Sequence, residues 1–596
     1  MSQSSDKASM AAIEKVQKIK AWPDPKIRYR DIRPITDLKD MFDSSVKIFG
    51  DSILFYVKDT TSSPYRGISY NETKLDVDAL GTALIALGLK DKKIAVIGDN
   101  RYEWAVSYLA TVCGAGIVVP LDKELPQKEL NYLIKDAEVE CVIFSHKYEK
   151  AFIESQASGD NSLKILISMD AEDDTDQRMS FKKVILDGRA LVKSRDRSFL
   201  DAKIDREKMS ILLFTSGTTG MAKGVMLSHN NITENLMVMG TLVNIVPSDV
   251  FFSILPIHHT YECTCGFLLP LYRGAGIAFC EGLKYIVRNL EEAKPTVFLG
   301  VPLIFESIYK KIWSQAKKSK SDVKLRRVLA INEKTKKIGI DLAPILLKKV
   351  TAIFGGKMRL MIAGGAAIDP DVLKGLKAFG INAIQGYGLT ECSPIVGINP
   401  DFDPRDDSAG YPPPFVEVRI EEANEEGIGE IVVKGENIML GYYHNQEATD
   451  AVIKDGWFYT GDLGFIDKEG YIHITGRKKN VIITKNGKNV FPEELEFYLG
   501  KIPFVEESMV WGIDREDNGD TLICASIKPN SDELSMILGK SYTDEQVNHL
   551  IWREIDKLNE ELPYYKRIKK AEFRKEEFEK TTGKKIKRFS EVNKRL

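Results

Sequence analysis

The sequence has few cysteines, no long apolar run and almost no net charge. Its seven cysteines are scattered along 596 residues and odd in number, which predicts a reducing, cytoplasmic location rather than a disulfide scaffold. No stretch approaches the roughly 18 consecutive apolar residues of a spanning helix, so we expect at most peripheral membrane contact. Nothing in the formal net charge of −2 suggests nucleic acid or an anionic membrane as the main partner.

A secretory signal is also missing, because residues 1–20 are polar and have no apolar centre. Residues 1–25 instead predict a flexible arm. The remaining chain is too long for one hydrophobic core. With 43% hydrophobic and 29% charged residues, its composition is that of an ordinary globular protein, so we expect several packed domains.

Short apolar runs alternate with helical segments from Arg28 onward. This alternation predicts buried parallel strands joined by helices, arranged as two parallel-sheet α/β subdomains. The runs are Lys93–Gly98, Gly116–Pro120, Cys141–Ser145 and Ile165–Met169, and later Val297–Gly300, Arg359–Ala363 and Ala383–Gln385.

The pattern changes after Ala409 to short alternating strands with Gly and Pro turns, which predicts a small antiparallel β subdomain. A lysine-rich connection at 476–480 then precedes a mixed segment with a helix over Glu533–Leu562. We therefore predict an α/β protein with a large domain at 26–475. A small, mobile α+β domain at 476–596 follows, with a hinge at 476–480.

A glycine- and hydroxyl-rich loop follows one apolar strand. Residues 211–224 read ILLFTSGTTGMAKG, and no Walker A loop occurs in the chain. Such a loop can turn backbone N–H groups and hydroxyls toward an anion, although its composition alone also fits a solvated turn. The candidate residues are Thr215, Ser216, Gly217, Thr218, Thr219, Gly220 and Lys223.

This string resembles the phosphate-binding signature of the AMP-forming acyl-CoA synthetases, a superfamily that includes luciferases and peptide-synthetase adenylation domains. Further family motifs follow in order: GGA at 364–366, GYGLTE at 386–391, WFYTGD at 457–462 and GR at 476–477. The resemblance extends from about residue 28 to residue 588. Within this superfamily the sequence looks most like bacterial long-chain fatty-acid–CoA ligases.

The resemblance implies an ATP site that also holds Mg²⁺. Glu391 would offer a hard oxygen to the metal, near Thr215, and Tyr387 would stack on adenine. Asp462 and Arg477 would contact the ribose. The other implied nucleotide contacts are Gly364, Gly365, Ala366, Gly388 and Thr390.

Two histidines lie in the segment LPIHHTYE. Cys263 and Cys265 are close in sequence, but this crowding fits no common zinc pattern. In the family the segment borders the acyl pocket, which implies that His259 and Glu262 line it.

A lysine near the C-terminus is the implied catalytic residue. Residues 579–588 read EKTTGKKIKR and resemble the family's terminal signature K-T-x-x-G-K-I-x-R. A lysine there would stabilise the negative charge that builds up at phosphorus during adenylation. Counting back from Ile586 selects Lys585, whereas counting forward from Gly583 selects Lys584. We favour Lys585.

The family's hinge corresponds to GRKKN at 476–480, with Lys479 at the pivot. After adenylation the C-terminal domain would rotate there and present a second face to the site. On that face Gly487 would leave room for the pantetheine arm of coenzyme A.

The expected reaction joins a fatty acid of the long-chain class to coenzyme A through acyl-AMP. Eleven residues follow Lys585, so we expect a stand-alone ligase rather than a peptide-synthetase module. Transfer to an acyl carrier protein, activation of an aryl acid and an inert adenylate-binding sensor remain alternatives. The oligomeric state stays open.

Overall fold

A computed structural model describes residues 32–215, 222–336, 338, 340, 342–484, 488–514, 521–580, 586–588, 590 and 593–594. The arm predicted at residues 1–25 lies outside this set. Contacts divide the chain into two compact units. The first comprises Met1–Val418, Val433–Phe458 and Asp467–Ile472, and the second comprises Arg419–Val432, Tyr459–Ile466 and His473–Leu596.

The strands begin and end as follows in chain order: β1 Ile53–Val57, β2 Arg66–Ser69, β3 Lys92–Ile97, β4 Gly116–Pro120, β5 Cys141–Phe144, β6 Ile165–Ser168, β7 Met179–Ser180, β8 Met209–Thr215, β9 Lys223–Ser228, β10 Val250–Ser253, β11 Gly276–Phe279, β12 Val297–Gly300, β13 Leu360–Ala363, β14 Asn382–Gly388, β15 Ile395–Ile398, β16 Val416–Glu421, β17 Gly429–Gly435, β18 Gly441–Tyr442, β19 Ile453–Lys454, β20 Trp457–Ile466, β21 Ile472–Arg477, β22 Ile482–Ile483, β23 Asn489–Val490, β24 Val505–Asp514, β25 Thr521–Pro529 and β26 Ile568–Phe573.

The α-helices are α1 Leu38–Phe49, α2 Tyr70–Ala86, α3 Tyr102–Ala110, α4 Gln127–Asp136, α5 Glu149–Ala157, α6 Phe181–Lys193, α7 His229–Leu242, α8 Leu269–Arg273, α9 Ile286–Ala293, α10 Pro302–Lys318, α11 Asp322–Lys336, α12 Ala343–Leu346, α13 Lys348–Thr351, α14 Pro370–Ala378, α15 Gln446–Val452, α16 Pro492–Gly500, α17 Ser531–Leu538 and α18 Asp544–Glu561.

Two eight-stranded sheets form the centre of the first unit. One has the order β15-β14-β13-β12-β10-β11-β1-β2, and the other has the order β18-β9-β8-β4-β3-β5-β6-β7. Their interiors are parallel, which confirms the two predicted α/β subdomains. Antiparallel neighbours occur toward the edges, where β14 pairs with β15, β1 with β2 and β8 with β9.

The parallel strands were predictable because both of their faces are covered. All four residues of β12 and of β13 are buried, as are those of β5, so each strand reads as a continuous apolar run. The starts of helices are also determined by residues that are close to them in sequence. Ser69 and Ser228 accept a backbone hydrogen bond at the N-termini of α2 and α7, each in a capping box.

The second unit contains a separate hydrophobic core. Strand β25 lies between β24 and β26, and helices α16 and α18 bury Leu495, Leu499, Leu550 and Ile551 in the same core. The antiparallel pairing of β24 with β25 and the parallel pairing of β25 with β26 make this an α+β arrangement.

The single helix predicted over Glu533–Leu562 was wrong. The structure has two helices there, α17 and α18, with a break at Gly539. Gly539 has a φ of +89°, a conformation that favours glycine and ends α17. Thr543 then accepts a hydrogen bond from the Gln546 N–H and starts the second helix.

In the part of the chain that the structure describes, no helix combines the length and the apolar character needed to cross a membrane.

Candidate active site

Thr215 and Lys223 are the last residue pair of the β8–β9 hairpin. They lie opposite each other in the antiparallel register, and the Thr215 hydroxyl donates to the Lys223 carbonyl at 3.4 Å. Both side chains are half-buried. The hairpin thus fixes the two ends of the predicted phosphate loop. Its central candidates, Ser216, Gly217, Thr218, Thr219 and Gly220, lie outside the described residues.

Glu391 lies in a short 3₁₀ turn, Thr390–Cys392, that follows β14. Its Oε1 accepts a hydrogen bond from the Tyr442 hydroxyl at 2.9 Å. Tyr442 belongs to β18, which pairs with β9, and the Lys223 Nζ lies 4.7 Å from the centre of the Tyr442 ring. Tyr442 therefore links the phosphate-loop hairpin to the predicted metal ligand.

The Tyr442 hydroxyl remains a proton donor. Burial raises its pKa above the ordinary tyrosine value, and the neighbouring Glu391 charge raises it further. A neutral phenol beside a carboxylate holds one oxygen of that carboxylate in place and leaves the other oxygen for another ligand. Sequence reasoning missed Tyr442, because a tyrosine in GYY at 441–443 carries no motif of its own.

The backbone around Glu391 is fixed by close contacts. A Cβ on Gly388 would lie 2.1 Å from the Pro394 carbonyl oxygen, so only glycine fits there. The Leu389 N–H donates to that same carbonyl at 2.8 Å, and the Met439 N–H donates to the Glu391 carbonyl at 2.9 Å. The GYGLTE motif is therefore a rigid turn that presents Glu391, and Thr390 is half-buried beside it.

The GGA segment begins at the carboxyl end of β13, beside β14. The Gly364 N–H donates to the Gly300 carbonyl at 3.1 Å, and a Cβ on Gly364 would lie 2.8 Å from the Tyr261 ring. Gly365 has a φ of +82°, and both Gly365 and Ala366 are exposed. Because β13 and β14 are parallel, this segment and the residues after Gly388 emerge at the same sheet edge.

Tyr387 is largely enclosed. It lies in β14 opposite Gly397 of β15, and only 8% of it is exposed. Little of the Tyr387 ring is therefore exposed for the predicted stacking on adenine.

The two predicted acyl-pocket residues differ in exposure. His259 is exposed and stacks against His258, with ring centres 5.0 Å apart. Glu262 is 1% exposed and lies in a π-helical turn at Tyr261–Leu268. Ser253 at the end of β10 donates to Glu262 Oε1 at 2.6 Å. Within the described residues, Glu262 Oε2 has no hydrogen-bond partner.

Asn100 supports this region from the other sheet and was also missed. It follows β3, and its amide donates to the Ser253 hydroxyl at 2.9 Å and to the Leu255 carbonyl at 2.7 Å. Its side-chain oxygen accepts from the Ile257 N–H at 3.1 Å. An asparagine that makes three such bonds holds the segment before His258 in one conformation.

Burial raises the pKa of Glu262 to about 8, from 4.5 in an exposed chain. The folded protein therefore holds a proton that the unfolded chain releases between these two pH values. We expect the wild type to lose stability relative to Glu262→Gln as pH rises through this window, by about 1 kcal/mol per pH unit. The measurement is the free energy of urea unfolding at pH 5.5, 6.5 and 7.5.

The exposed Glu129→Gln variant is the control, and its pH slope should match that of the wild type. The slope is the readout because the amide introduced by Glu262→Gln also leaves a buried N–H₂ unsatisfied, a cost that does not depend on pH. Parallel pH profiles for Glu262→Gln and the wild type would show that Glu262 is ionised in the folded protein.

In the second unit Asp462 and Arg477 form an ion pair. Arg477 Nε lies 2.6 Å from Asp462 Oδ1, and Arg477 Nη1 donates to the Thr460 carbonyl at 3.4 Å. Asp462 is 3% exposed, and its own N–H donates to the Thr460 hydroxyl at 3.0 Å. The two predicted ribose contacts are thus brought together.

Lys479 lies near this pair. Burial lowers its pKa below the ordinary lysine value, and the positive charge of Arg477 lowers it further, while Asp462 opposes the shift. The preceding Lys478 is held between Glu430 at 2.8 Å and Glu422 at 3.1 Å. The residues predicted to form the hinge therefore carry their own electrostatic contacts within the second unit.

The catalytic-lysine candidates Lys584 and Lys585 lie outside the described residues, and so does Gly487. The positions flanking the lysines are described. Lys580 forms an antiparallel bridge with Ile586, and Ile586 packs beside Trp511 and Phe578. Arg588 forms ion pairs with Glu493 and Glu496, and it donates to the Val510 carbonyl at 3.2 Å.

Comparison with known families gives two matches that cover most of the chain. Residues 42–443 match the family described as AMP-binding enzyme, and residues 479–593 match the AMP-binding enzyme C-terminal domain. The first match contains Thr215, Glu391 and Tyr442, and the second contains Lys479 and Lys585.

Curated relatives are similar over comparable lengths. Long chain acyl-CoA synthetase 1 of Arabidopsis thaliana is 28% identical over 84% of this chain and 80% of its own. Long-chain-fatty-acid–CoA ligase 5 of Rattus norvegicus is 30% identical over 73% of this chain and 67% of its own.

Solved structures agree with the fold. ATP-bound MatB from Rhodopseudomonas palustris superposes with a TM-score of 0.71 at 26% identity, over 93% of this chain and 97% of MatB. The anthranilate CoA ligase AuaEII in complex with anthranoyl-AMP gives a TM-score of 0.73 at 22% identity, over 93% and 96% of the two chains.

Proposed function

Because the chain belongs to the family of AMP-binding enzymes, we propose that it is a ligase that activates a long-chain fatty acid with ATP. The acid's carboxylate attacks the α-phosphate, which forms acyl-AMP and releases pyrophosphate. The thiol of coenzyme A then attacks the acyl carbonyl, loses its proton and displaces AMP. The observation that carries the adenylation step is the contact of Tyr442 with Glu391 and Lys223 beside Thr215.

The donor atoms at this place suit a hard cation. Glu391 supplies a carboxylate whose geometry is fixed by Tyr442, and Thr215 supplies a hydroxyl. These are the oxygen ligands that Mg²⁺ takes in proteins, and soft sulfur ligands are not among them. We propose that Glu391 and Thr215 hold the Mg²⁺ that accompanies ATP. When bound, the ion neutralises phosphate charge; the chain's own residues orient the nucleotide.

Other described residues are proposed as further nucleotide contacts. We propose that Asp462 accepts the ribose hydroxyls, with Arg477 holding the carboxylate in position at 2.6 Å. The exposed backbone at Gly365 and Ala366 is available to an adenine edge. Lys479 is proposed as the pivot and Gly487 as the place where coenzyme A enters. His259 and Glu262 are proposed to border the acyl chain.

The acid class is supported by the relatives. Arabidopsis and rat proteins that align over most of this chain are named for long-chain fatty acids and coenzyme A. We propose the same class here, with a cytoplasmic location supported by seven free, buried cysteines. One Arabidopsis relative is named as peroxisomal, so location varies among these proteins. We propose at most peripheral contact with membranes.

The test is a panel of acids incubated with the purified protein, ATP and Mg²⁺. We expect palmitate to give AMP and pyrophosphate, and palmitoyl-CoA once coenzyme A is added, at rates well above those for benzoate and anthranilate. Chromatography of the nucleotides and thioesters measures both products.

Three results would contradict the proposal. Preference for an aryl acid would change the substrate class. Faster transfer to holo acyl carrier protein than to coenzyme A would change the acceptor. Absence of AMP formation with every acid would support a protein that binds adenylates without catalysis.

A further inference from the structure

Residues 302–350 of the first unit concentrate positive charge. They contain 13 lysines and arginines and four acidic residues, a local net charge of +9 in a chain whose net charge is −2. The segment includes helices α10 to α13. A concentration of positive charge attracts anionic surfaces. The kind of anionic surface that it suits depends on the apolar side chains beside it.

Helix α11 has a packed inner face and an outer face that is both apolar and basic. Leu325, Val328 and Leu329 pack against the core of the first unit. On the opposite face, Val323 is 55% exposed and Ile331 is 51% exposed, with Arg327 between them at helical spacing. A helix that only needed to cover the core would not require isoleucine and valine on that outer face.

The turn after α11 exposes two more isoleucines. Ile338 is 73% exposed and Ile340 is 49% exposed. Their N–H groups both donate to the Thr335 carbonyl, at 3.0 and 2.9 Å, so the turn holds them beyond the end of the helix. Lys334 lies in the last turn of α11, so cationic and apolar groups occur together here.

The lysines of this surface are available for an external anion. Lys310, Lys318 and Lys324 are all exposed, and no carboxylate among the described residues lies within 4 Å of their ammonium groups, although the charge of Lys310 acts on Glu306 one helical turn before it. Some exposed lysines elsewhere are paired with a carboxylate, as Lys164 is with Glu140 at 2.7 Å. An acidic ligand would therefore not have to displace an internal partner.

We propose that this basic–apolar surface, defined by Lys310, Lys318, Lys324, Ile331, Ile338 and Ile340, docks on a bilayer that contains anionic phospholipids. The isoleucines enter the boundary between headgroups and acyl chains, and the lysines contact phosphate groups. Nucleic acid would satisfy the lysines but would leave the isoleucines in water. The inference stands independently of the proposed reaction, although long-chain fatty acids partition into bilayers.

Vesicle flotation of the full-length protein tests this surface. We expect binding to vesicles of equal parts phosphatidylcholine and phosphatidylglycerol, weak binding to pure phosphatidylcholine, and loss of binding at high salt. The triple variant Lys310→Gln, Lys318→Gln, Lys324→Gln should lower the partition coefficient at least about tenfold, because each lysine near an anionic surface contributes several-fold. Ile338→Ser should lower it about threefold or more, by a similar factor at each salt concentration at which the wild type still binds.

Matched controls use exposed residues outside the surface. The triple variant Lys128→Gln, Lys150→Gln, Lys193→Gln removes the same charge, and Leu75→Ser removes an apolar side chain that is 63% exposed. Both should bind like the wild type, and thermal unfolding should show that every variant is folded. The proposal is overturned if both triple variants weaken binding equally, or if the wild type binds transfer RNA but not the anionic vesicles.

Discussion

Lys585→Ala should lower the rate of acyl-adenylate formation by roughly 10²- to 10³-fold, the cost of removing one well-placed donor to a developing negative charge. Attack of the carboxylate on the α-phosphate gathers negative charge on the phosphoryl oxygens, and one ammonium group that reaches both reactants stabilises it. The second step, thioester formation, does not need this charge stabilisation, because AMP already leaves readily. The variant should therefore convert supplied palmitoyl-AMP and coenzyme A to palmitoyl-CoA at nearly the wild-type rate.

The measurement separates the two half-reactions. Pyrophosphate release in the absence of coenzyme A reports adenylation, and thioester formation from synthetic palmitoyl-AMP reports transfer. Lys584→Ala is the matched control, since it removes the same group one residue away. If Lys584→Ala loses adenylation and Lys585→Ala keeps it, the alignment that starts from Gly583 is the right one. Equal loss of both half-reactions in Lys585→Ala would instead indicate damage to the second unit as a whole.

The described residues that flank Lys585 are held by contacts of their own. Ile586 packs beside Trp511 and Phe578, and Arg588 pairs with Glu493 and Glu496. A thermal unfolding midpoint close to that of the wild type is therefore expected, and it would assign the lost activity to chemistry rather than to folding.

Sequence patterns predicted the parallel sheets well, because a strand that is buried on both faces consists of consecutive apolar residues. Strands such as β12 at Val297–Gly300 are short apolar runs with turn residues at their ends, and the predicted bounds match. The break between α17 and α18 was harder, because a single glycine within a helical pattern is also tolerated in a continuous helix. Only the φ of +89° at Gly539 decides the matter.

Candidate site residues could be named from the sequence where a contiguous motif contains them. Glu391 and Asp462 each lie in a string that identifies them, whereas Tyr442 and Asn100 act through contacts with residues far away in sequence. Tyr442 reaches Glu391 across 51 positions, and Asn100 reaches Ser253 across 153. Such partners depend on which strands become neighbours, and no local pattern encodes that pairing.

The protonation state of Glu262 likewise depends on residues that are distant in sequence. Its sequence context implies a place near the acyl chain, but its protonation depends on being enclosed without a cationic partner. A carboxyl group beside a lysine or arginine would instead have a lowered pKa. The distinction requires the surroundings of the residue, which come from β10 and the π-helical turn rather than from the segment LPIHHTYE itself.

Glu391→Gln should lower kcat/KM for ATP by roughly 10²- to 10³-fold and raise the Mg²⁺ concentration needed for half-maximal adenylation. Glutamine keeps the side chain's length and can still accept from the Tyr442 hydroxyl, so the turn after β14 should persist. What the variant loses is the negative charge that we propose holds a divalent cation. Initial rates of pyrophosphate release across a Mg²⁺ titration measure both effects.

Tyr442→Phe separates two contributions of Glu391, which are its negative charge and the fixed orientation of its carboxylate. The carboxylate remains, but it loses the hydrogen bond of 2.9 Å that fixes Oε1. Since a hydrogen bond to a charged group contributes about 1.5–3 kcal/mol, adenylation should fall about 10- to 150-fold. The Mg²⁺ requirement should rise by less than in Glu391→Gln. Tyr443→Phe is the control, because its hydroxyl donates to Glu138 instead.

The order of the three variants is the informative result. Glu391→Gln should be most impaired, Tyr442→Phe intermediate and Tyr443→Phe near the wild type. If Tyr442→Phe were as impaired as Glu391→Gln, the phenol itself would have to contact the nucleotide. If Glu391→Gln kept the wild-type Mg²⁺ dependence, Glu391 would not be a metal ligand. The carboxylate held by Tyr442 would then serve only to close the turn between β14 and β15.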